Sequence, residues 1–180
     1  MASRYVLLLR GINVNPSTRL AMADLRDILS GLGFAKVSTV LQSGNVILDS
    51  AKPPDVRAIE SAIAEGTGVR SRVVVLTLGE FRTLVEANPL LGVSAIQERD
   101  DLSKMVITFL GGDIVPAEVD RPSAEDLAPE RLIIETRAIY QWCPLGILQS
   151  RLKPAWWRQL GPVATSRNVR TANRILAAAV

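Results

Sequence analysis

The chain has 180 residues, 48% hydrophobic and 22% charged, a composition that excludes disorder along its length and supplies a sizeable core. It holds one cysteine, Cys143, which excludes a disulfide framework within the chain, and no histidine. Without histidine there is no ordinary general base near neutral pH, no Ser-His or Cys-His nucleophile pair, and almost no route to a zinc site.

In chain order, Tyr5–Val14 reads as a buried strand, followed by a loop over 15–19 that contains Pro16 and Ser17. Met22, Leu25, Ile28, Leu29 and Leu32 recur at a helical period over 21–32, and Gly33 follows as a stop. Two β-rich runs, Val37–Leu41 and Val46–Leu48, flank Ser43-Gly44-Asn45 and predict a hairpin. Pro53-Pro54-Asp55 opens a helix to about Ala64, and Val73–Thr77 is the next strand. The order over residues 1–77 is therefore β-α-β-β-α-β, that of a ferredoxin-like unit.

Residues 78–102 read as a short helix over 79–87 and then a linker. From 103 the pattern partly restarts, with a strand over 105–110 and a helix over 116–127 interrupted at Pro122. Short strands over 132–135 and 138–142, a helical segment over 154–160, and a last helix from Ser166 to Ala178 complete it. The second unit, 103–180, is expected as a degenerate β-α-β-β-α-α echo of the first, and the fold class as α+β. The apolar run Tyr5–Leu9 is short for a signal-peptide core, and no stretch approaches the 18 apolar residues of a membrane span. The expected location is cytoplasmic, with no membrane partner.

Charge is unevenly placed. Residues 136–180 contain seven cations and no carboxylate, whereas residues 1–135 hold 14 basic and 18 acidic residues. Such segregation points to a basic face that meets an anion, or to cations that pair with carboxylates of the first 135 residues.

Three groups of residues carry the candidate chemistry. In the first, Arg10 ends an apolar strand, and Asn13, Gln42, Ser43 and Asn45 lie in the following loop and the hairpin turn. Arg10 suits a phosphate or carboxylate fork, or ties the turn to the rest of the fold, while Asn13, Ser43, Gly44 and Asn45 are also ordinary turn formers. In the second, Thr165 or Ser166 caps the last helix, and Arg167, Arg170 and Arg174 share one of its faces with Thr171 between them. The opposite face, Val169, Ala172, Ile175, Leu176 and Ala179, is expected in the core. The third is Trp156-Trp157 between Lys153 and Arg158, an aromatic pair among cations. Cys143 lacks a histidine to activate it and reads as buried and structural. Asp100 and Asp101 form an adjacent acidic pair in the linker, a weak metal candidate. No Gly-rich phosphate loop or dinucleotide fingerprint occurs, so no cofactor is expected.

Leu9-Arg10-Gly11-Ile12-Asn13-Val14, then Leu41-Gln42-Ser43-Gly44-Asn45-Val46, then Ser150-Arg151-Leu152 with Ala164-Thr165-Ser166-Arg167-Asn168 and Thr171, resemble in order the signature stretches of the bacterial domain of unknown function 1697 (DUF1697) family. The resemblance implies an α+β fold of ferredoxin-like character, names no activity, and brings Ser150, Arg151 and Asn168 into the candidate set. The sequence departs from the family pattern at Asn15 and Pro16, where two glycines are usual, at Arg151 for Lys, at Lys153 for a capping Thr, and at Val169 for Trp. The expected function is binding of an anionic ligand, a phosphate-bearing small molecule or nucleic acid, through the Arg-rich C-terminal helix. The alternatives are an enzyme without histidine acting on a phosphorylated or carbonyl metabolite, or a self-associating scaffold.

Overall fold

The computed structural model describes residues 2–93 and 102–180. The chain divides into two compact units, Met1–Arg82 with Arg174–Val180, and Thr83–Asn173.

The first unit contains β1 (Ser3–Arg10), α1 (Met22–Gly31), β2 (Ala35–Val40), β3 (Asn45–Ser50), α2 (Val56–Thr67) and β4 (Arg72–Thr77). The sheet order is β2-β3-β1-β4, with each neighbouring pair antiparallel. This is the ferredoxin-like arrangement expected from the element order. Tyr5, Leu7 and Leu9 alternate along β1 toward a core shared with Leu25 and Leu29 of α1 and Ile59 and Ile63 of α2. The intervening Val6 and Leu8 are also fully buried, which is why β1 reads as an unbroken apolar run and not as an alternating one.

Local signals account for the boundaries. The Asp55 carboxylate accepts from the backbone N–H groups of Arg57 and Ala58 at the start of α2, and Gly68, at φ +75°, closes its end. β1 stops at Arg10 and not at Val14, because Gly11 and Asn13 take positive φ values and turn the chain away from the sheet. A 3-10 turn at Pro16–Thr18 follows, capped by the Asn15 side chain. On β1 the Arg4 guanidinium pairs with Asp49 of β3 at 2.8 Å and donates to the Ala179 carbonyl, and Arg4 holds the Asp49 carboxyl below its ordinary pKa.

Also present are α3 (Leu78–Glu86), which carries the boundary between the units, and β5 (Met105–Leu110), α4 (Ala124–Leu127), β6 (Arg131–Ile134), β7 (Ala138–Trp142), α5 (Pro154–Trp157), β8 (Ala164–Asn168) and α6 (Val169–Ala178). The second sheet runs β6-β7-β5-β8, again antiparallel throughout, so it repeats the strand order of the first. Leu110, Ile134, Ile139 and Leu160 form its core on one sheet face, with Trp156 and Trp157 packed against them.

Three expectations change here. The helix over 116–127 is a 3-10 turn at Pro116–Glu118 and a single turn, α4, separated by an irregular stretch at Pro122. The segment over 154–160 is one α-turn continued by a 3-10 turn at Arg158–Leu160. The last helix begins at Val169, because residues 164–168 pair with β5 as an eighth strand. Asp100 and Asp101 lie outside the described residues. No helix among the described residues is long and apolar enough to cross a membrane.

Candidate functional site

The first candidate group is brought together, and most of it is occupied in holding the turn. The Asn13 Nδ2 donates to the carbonyls of Gln42 at 2.7 Å and Leu20 at 3.0 Å, and its Oδ1 accepts from Leu20 N–H at 2.8 Å. The loop after β1 and the hairpin turn therefore meet. Asn45 is fully buried, with Nδ2 donating to the Val40 carbonyl and the Ser43 hydroxyl. Gly44 sits at φ +75°, and a Cβ there would lie 2.7 Å from Leu9 Cβ and Ile12 Cδ1. Arg10 is exposed, with its carbonyl accepting from the Ser71 hydroxyl, and its side chain has no ion pair among the described residues.

The C-terminal group is rearranged relative to expectation. Thr165, Arg167 and Asn168 belong to β8 and not to the helix, so Arg167 does not share a helix face with Arg170 and Arg174. The cap of α6 is Asn168, whose Oδ1 accepts from Thr171 N–H at 2.8 Å; neither Thr165 nor Ser166 caps it. Arg167 donates to the Thr165 hydroxyl at 3.0 Å and the Ser166 carbonyl at 2.8 Å, and burial lowers its guanidinium pKa to about 10. Ser166 instead shares a hydrogen bond with Thr108, its register partner on β5, at 2.7 Å. Val169, Ala172, Ile175 and Ala179 are buried as expected, whereas Leu176 is only half-buried; Arg170 and Arg174 are exposed.

The third region gains a cleft. It occupies about 890 Å³ in the second unit and is lined by residues from the stretch around α4 and from the turn into α5. Pro122, Leu127, Leu152, Ala155 and Trp156 form its apolar wall, and Asp120, Asp126, Ser150, Arg151, Lys153 and Gln159 supply polar groups. This size and composition suit a small ligand. Trp156 and Trp157 meet edge to face at 4.9 Å and both are half-buried, so the pair is not an exposed stacking platform. The Trp156 indole N–H donates to the Asp120 carbonyl at 2.7 Å.

A polar cluster supports the cleft at Ser150 and Arg151. The Ser150 hydroxyl donates to Glu130 Oε2 at 2.8 Å, the Arg151 backbone N–H donates to Glu130 Oε1, and Leu152 N–H donates to Ser150 Oγ at 3.2 Å. Glu130 thus serves as the internal anion of this turn. Arg151 also donates from Nη1 to the Asp126 carbonyl at 3.2 Å. Behind Ser150, Gln141 is buried, with Nε2 3.4 Å from Ser150 Oγ and Oε1 unpartnered among the described residues. Cys143 is buried beside Glu130; burial first, and the Glu130 charge second, push its thiol up to about 12. It is not a thiolate nucleophile at neutral pH.

The cations of the tail are partnered to different degrees. Arg137 reaches Asp113 at 3.4 Å, while Arg151, Lys153, Arg158, Arg170 and Arg174 form no ion pair among the described residues. No group of three or more Cys, Asp or Glu among the described residues is placed to hold a metal. Glu130, Asp120 and Gln159 were not singled out from sequence. Single polar residues in loops carry no periodic or motif signal, and only the fold brings 120–130 beside 150–159.

The family model described as "Protein of unknown function (DUF1697)" matches residues 2–140. Among solved structures, the conserved bacterial protein SP0830 from Streptococcus pneumoniae superposes with a TM-score of 0.70 and 23% sequence identity, covering 99% of each chain. At that identity the likeness concerns the fold. Comparison with curated proteins found no match.

Proposed function

The chain belongs to the DUF1697 family, and we propose that it binds a small phosphate-bearing ligand in the cleft of its second unit. The observation that carries this reading is the placement of Arg151 and Lys153. Both come from the turn into α5, both line the cleft, and neither is neutralised by a carboxylate among the described residues. A guanidinium and an ammonium on one turn supply charge-assisted donors, and the apolar wall behind them lowers competition from water. Of the two carboxylates in the lining, Asp126 already accepts from the Ser123 hydroxyl at 2.7 Å at the start of α4. Glu130 takes up the Ser150 hydroxyl and the Arg151 backbone N–H, and Arg151 Nη1 bonds the Asp126 carbonyl, so the remaining guanidinium nitrogens of Arg151 and the Lys153 ammonium are the charged donors left for a ligand.

Calorimetric titration with pyrophosphate and ribose 5-phosphate tests the reading. Lys153→Ala and Arg151→Ala are each expected to weaken binding about tenfold, the loss of one charge-assisted hydrogen bond. Binding that survives both substitutions, or no binding of either compound, would remove the cleft as an anion site.

A further inference from the structure

We infer that the ligand of this cleft carries a guanine-type base, met by the carboxylate of Asp120; the inference rests on the phosphate reading above and specifies the other end of the same molecule. Asp120 is held unusually firmly for an exposed loop residue. Its backbone N–H donates to Gln159 Oε1 at 2.8 Å, and its carbonyl accepts from Trp156 Nε1 at 2.7 Å and from Gln159 Nε2 at 3.3 Å. Two side chains from α5 and the turn after it thus fix the main chain of one residue at the cleft, while its carboxylate has no partner among the described residues.

An ionised carboxylate only accepts, and it presents two oxygens side by side. Its best complement is a pair of adjacent donors. Guanine offers one, the ring N1–H next to the exocyclic amino group. Adenine and cytosine set an amino group beside a ring-nitrogen acceptor, which repels the second oxygen, and uracil flanks its single N–H with carbonyls. The cleft also supplies an apolar wall beside Asp120, and Arg151 and Lys153 for the phosphate.

The test compares GMP, AMP and ribose 5-phosphate by calorimetry, on the wild-type chain and on Asp120→Asn. The three bonds that fix residue 120 are all to its main chain, so this substitution leaves the fold intact, which the thermal midpoint verifies. GMP is expected to bind about tenfold or more tightly than AMP. Asp120→Asn offers one acceptor and one donor, a match for adenine and not for guanine, so it is expected to weaken GMP, strengthen AMP until the guanine preference is lost, and leave ribose 5-phosphate unchanged. Equal binding of GMP and AMP, or a GMP preference untouched by Asp120→Asn, would overturn the base assignment while ribose 5-phosphate binding keeps the phosphate site. Failure of all three compounds to bind would overturn both.

Discussion

Glycine 44 shows how tightly single residues are specified in the hairpin turn. Its φ of +75° disfavours any L side chain, and a Cβ would stand 2.7 Å from Leu9 Cβ, an atom fixed to the buried β1 backbone. Gly11 provides the control, at φ +70° with nothing within 4 Å of the same built atom. Gly11→Ala is therefore expected to cost only the left-handed conformation, about 1 to 2 kcal/mol, and Gly44→Ala about 2 to 4 kcal/mol, because overpacking adds to strain. Urea unfolding of the two variants separates the terms; equal losses would mean that the Leu9 and Ile12 contacts relax freely. Asn13 is legible on the same grounds. Its turn-forming character was plain in the sequence, but the identity of its partners, Leu20 and Gln42, came only from the fold.

At the scale of elements, the first unit was readable almost throughout, because apolar periods of 2 and 3.6 alternate with glycine and proline punctuation. The second was readable at its buried strands and poorly at its edges. β8, with the sequence Ala-Thr-Ser-Arg-Asn, has one β-branched residue and no apolar alternation; it is a strand because β5 pairs with it from Val106 to Leu110. Local pattern carries no sign of that pairing, and the amphipathic period of the helix that follows extends back over residues 166–168. The consequence is a displaced cap. Asn168→Ala is expected to cost about 1 kcal/mol in equilibrium unfolding, and Asn168→Asp to retain most of the stability, since a carboxylate accepts equally from Thr171 N–H. If the loss is the same for both, the contribution of Asn168 lies in its strand position and not in its capping oxygen. The cleft was legible only in pieces, for a related reason. Ser150, Arg151 and Trp156 stand out, but the residues that complete the wall lie about 25 to 30 positions earlier, in the irregular stretch before α4 and in its single turn.

For the whole molecule, the salt dependence of binding distinguishes the proposed small phosphate ligand from a nucleic-acid strand. A nucleic-acid strand laid along the basic tail would engage several of Arg151, Lys153, Arg158, Arg170 and Arg174, and each phosphate contact would release counterions. With all five engaged on a single strand, affinity falls by roughly a hundredfold between 50 and 200 mM salt. A small phosphate ligand held by Arg151 and Lys153 has no condensed counterion layer, so salt acts on it only by screening. Part of that field is shielded by the apolar wall of Leu127, Leu152 and Trp156. The expected loss for GMP or pyrophosphate over the same range is therefore less than about tenfold. The overall charge of +3 is too small to impose a steep long-range dependence of its own, because the first 135 residues carry an excess of carboxylates. Titrations at 50, 100 and 200 mM potassium chloride measure the slope directly. A shallow slope for small ligands, with weak and steeply salt-dependent binding of single-stranded oligonucleotides, places the partner in the cleft. Tight oligonucleotide binding with a steep slope, insensitive to Lys153→Ala, would place it on the tail as a whole.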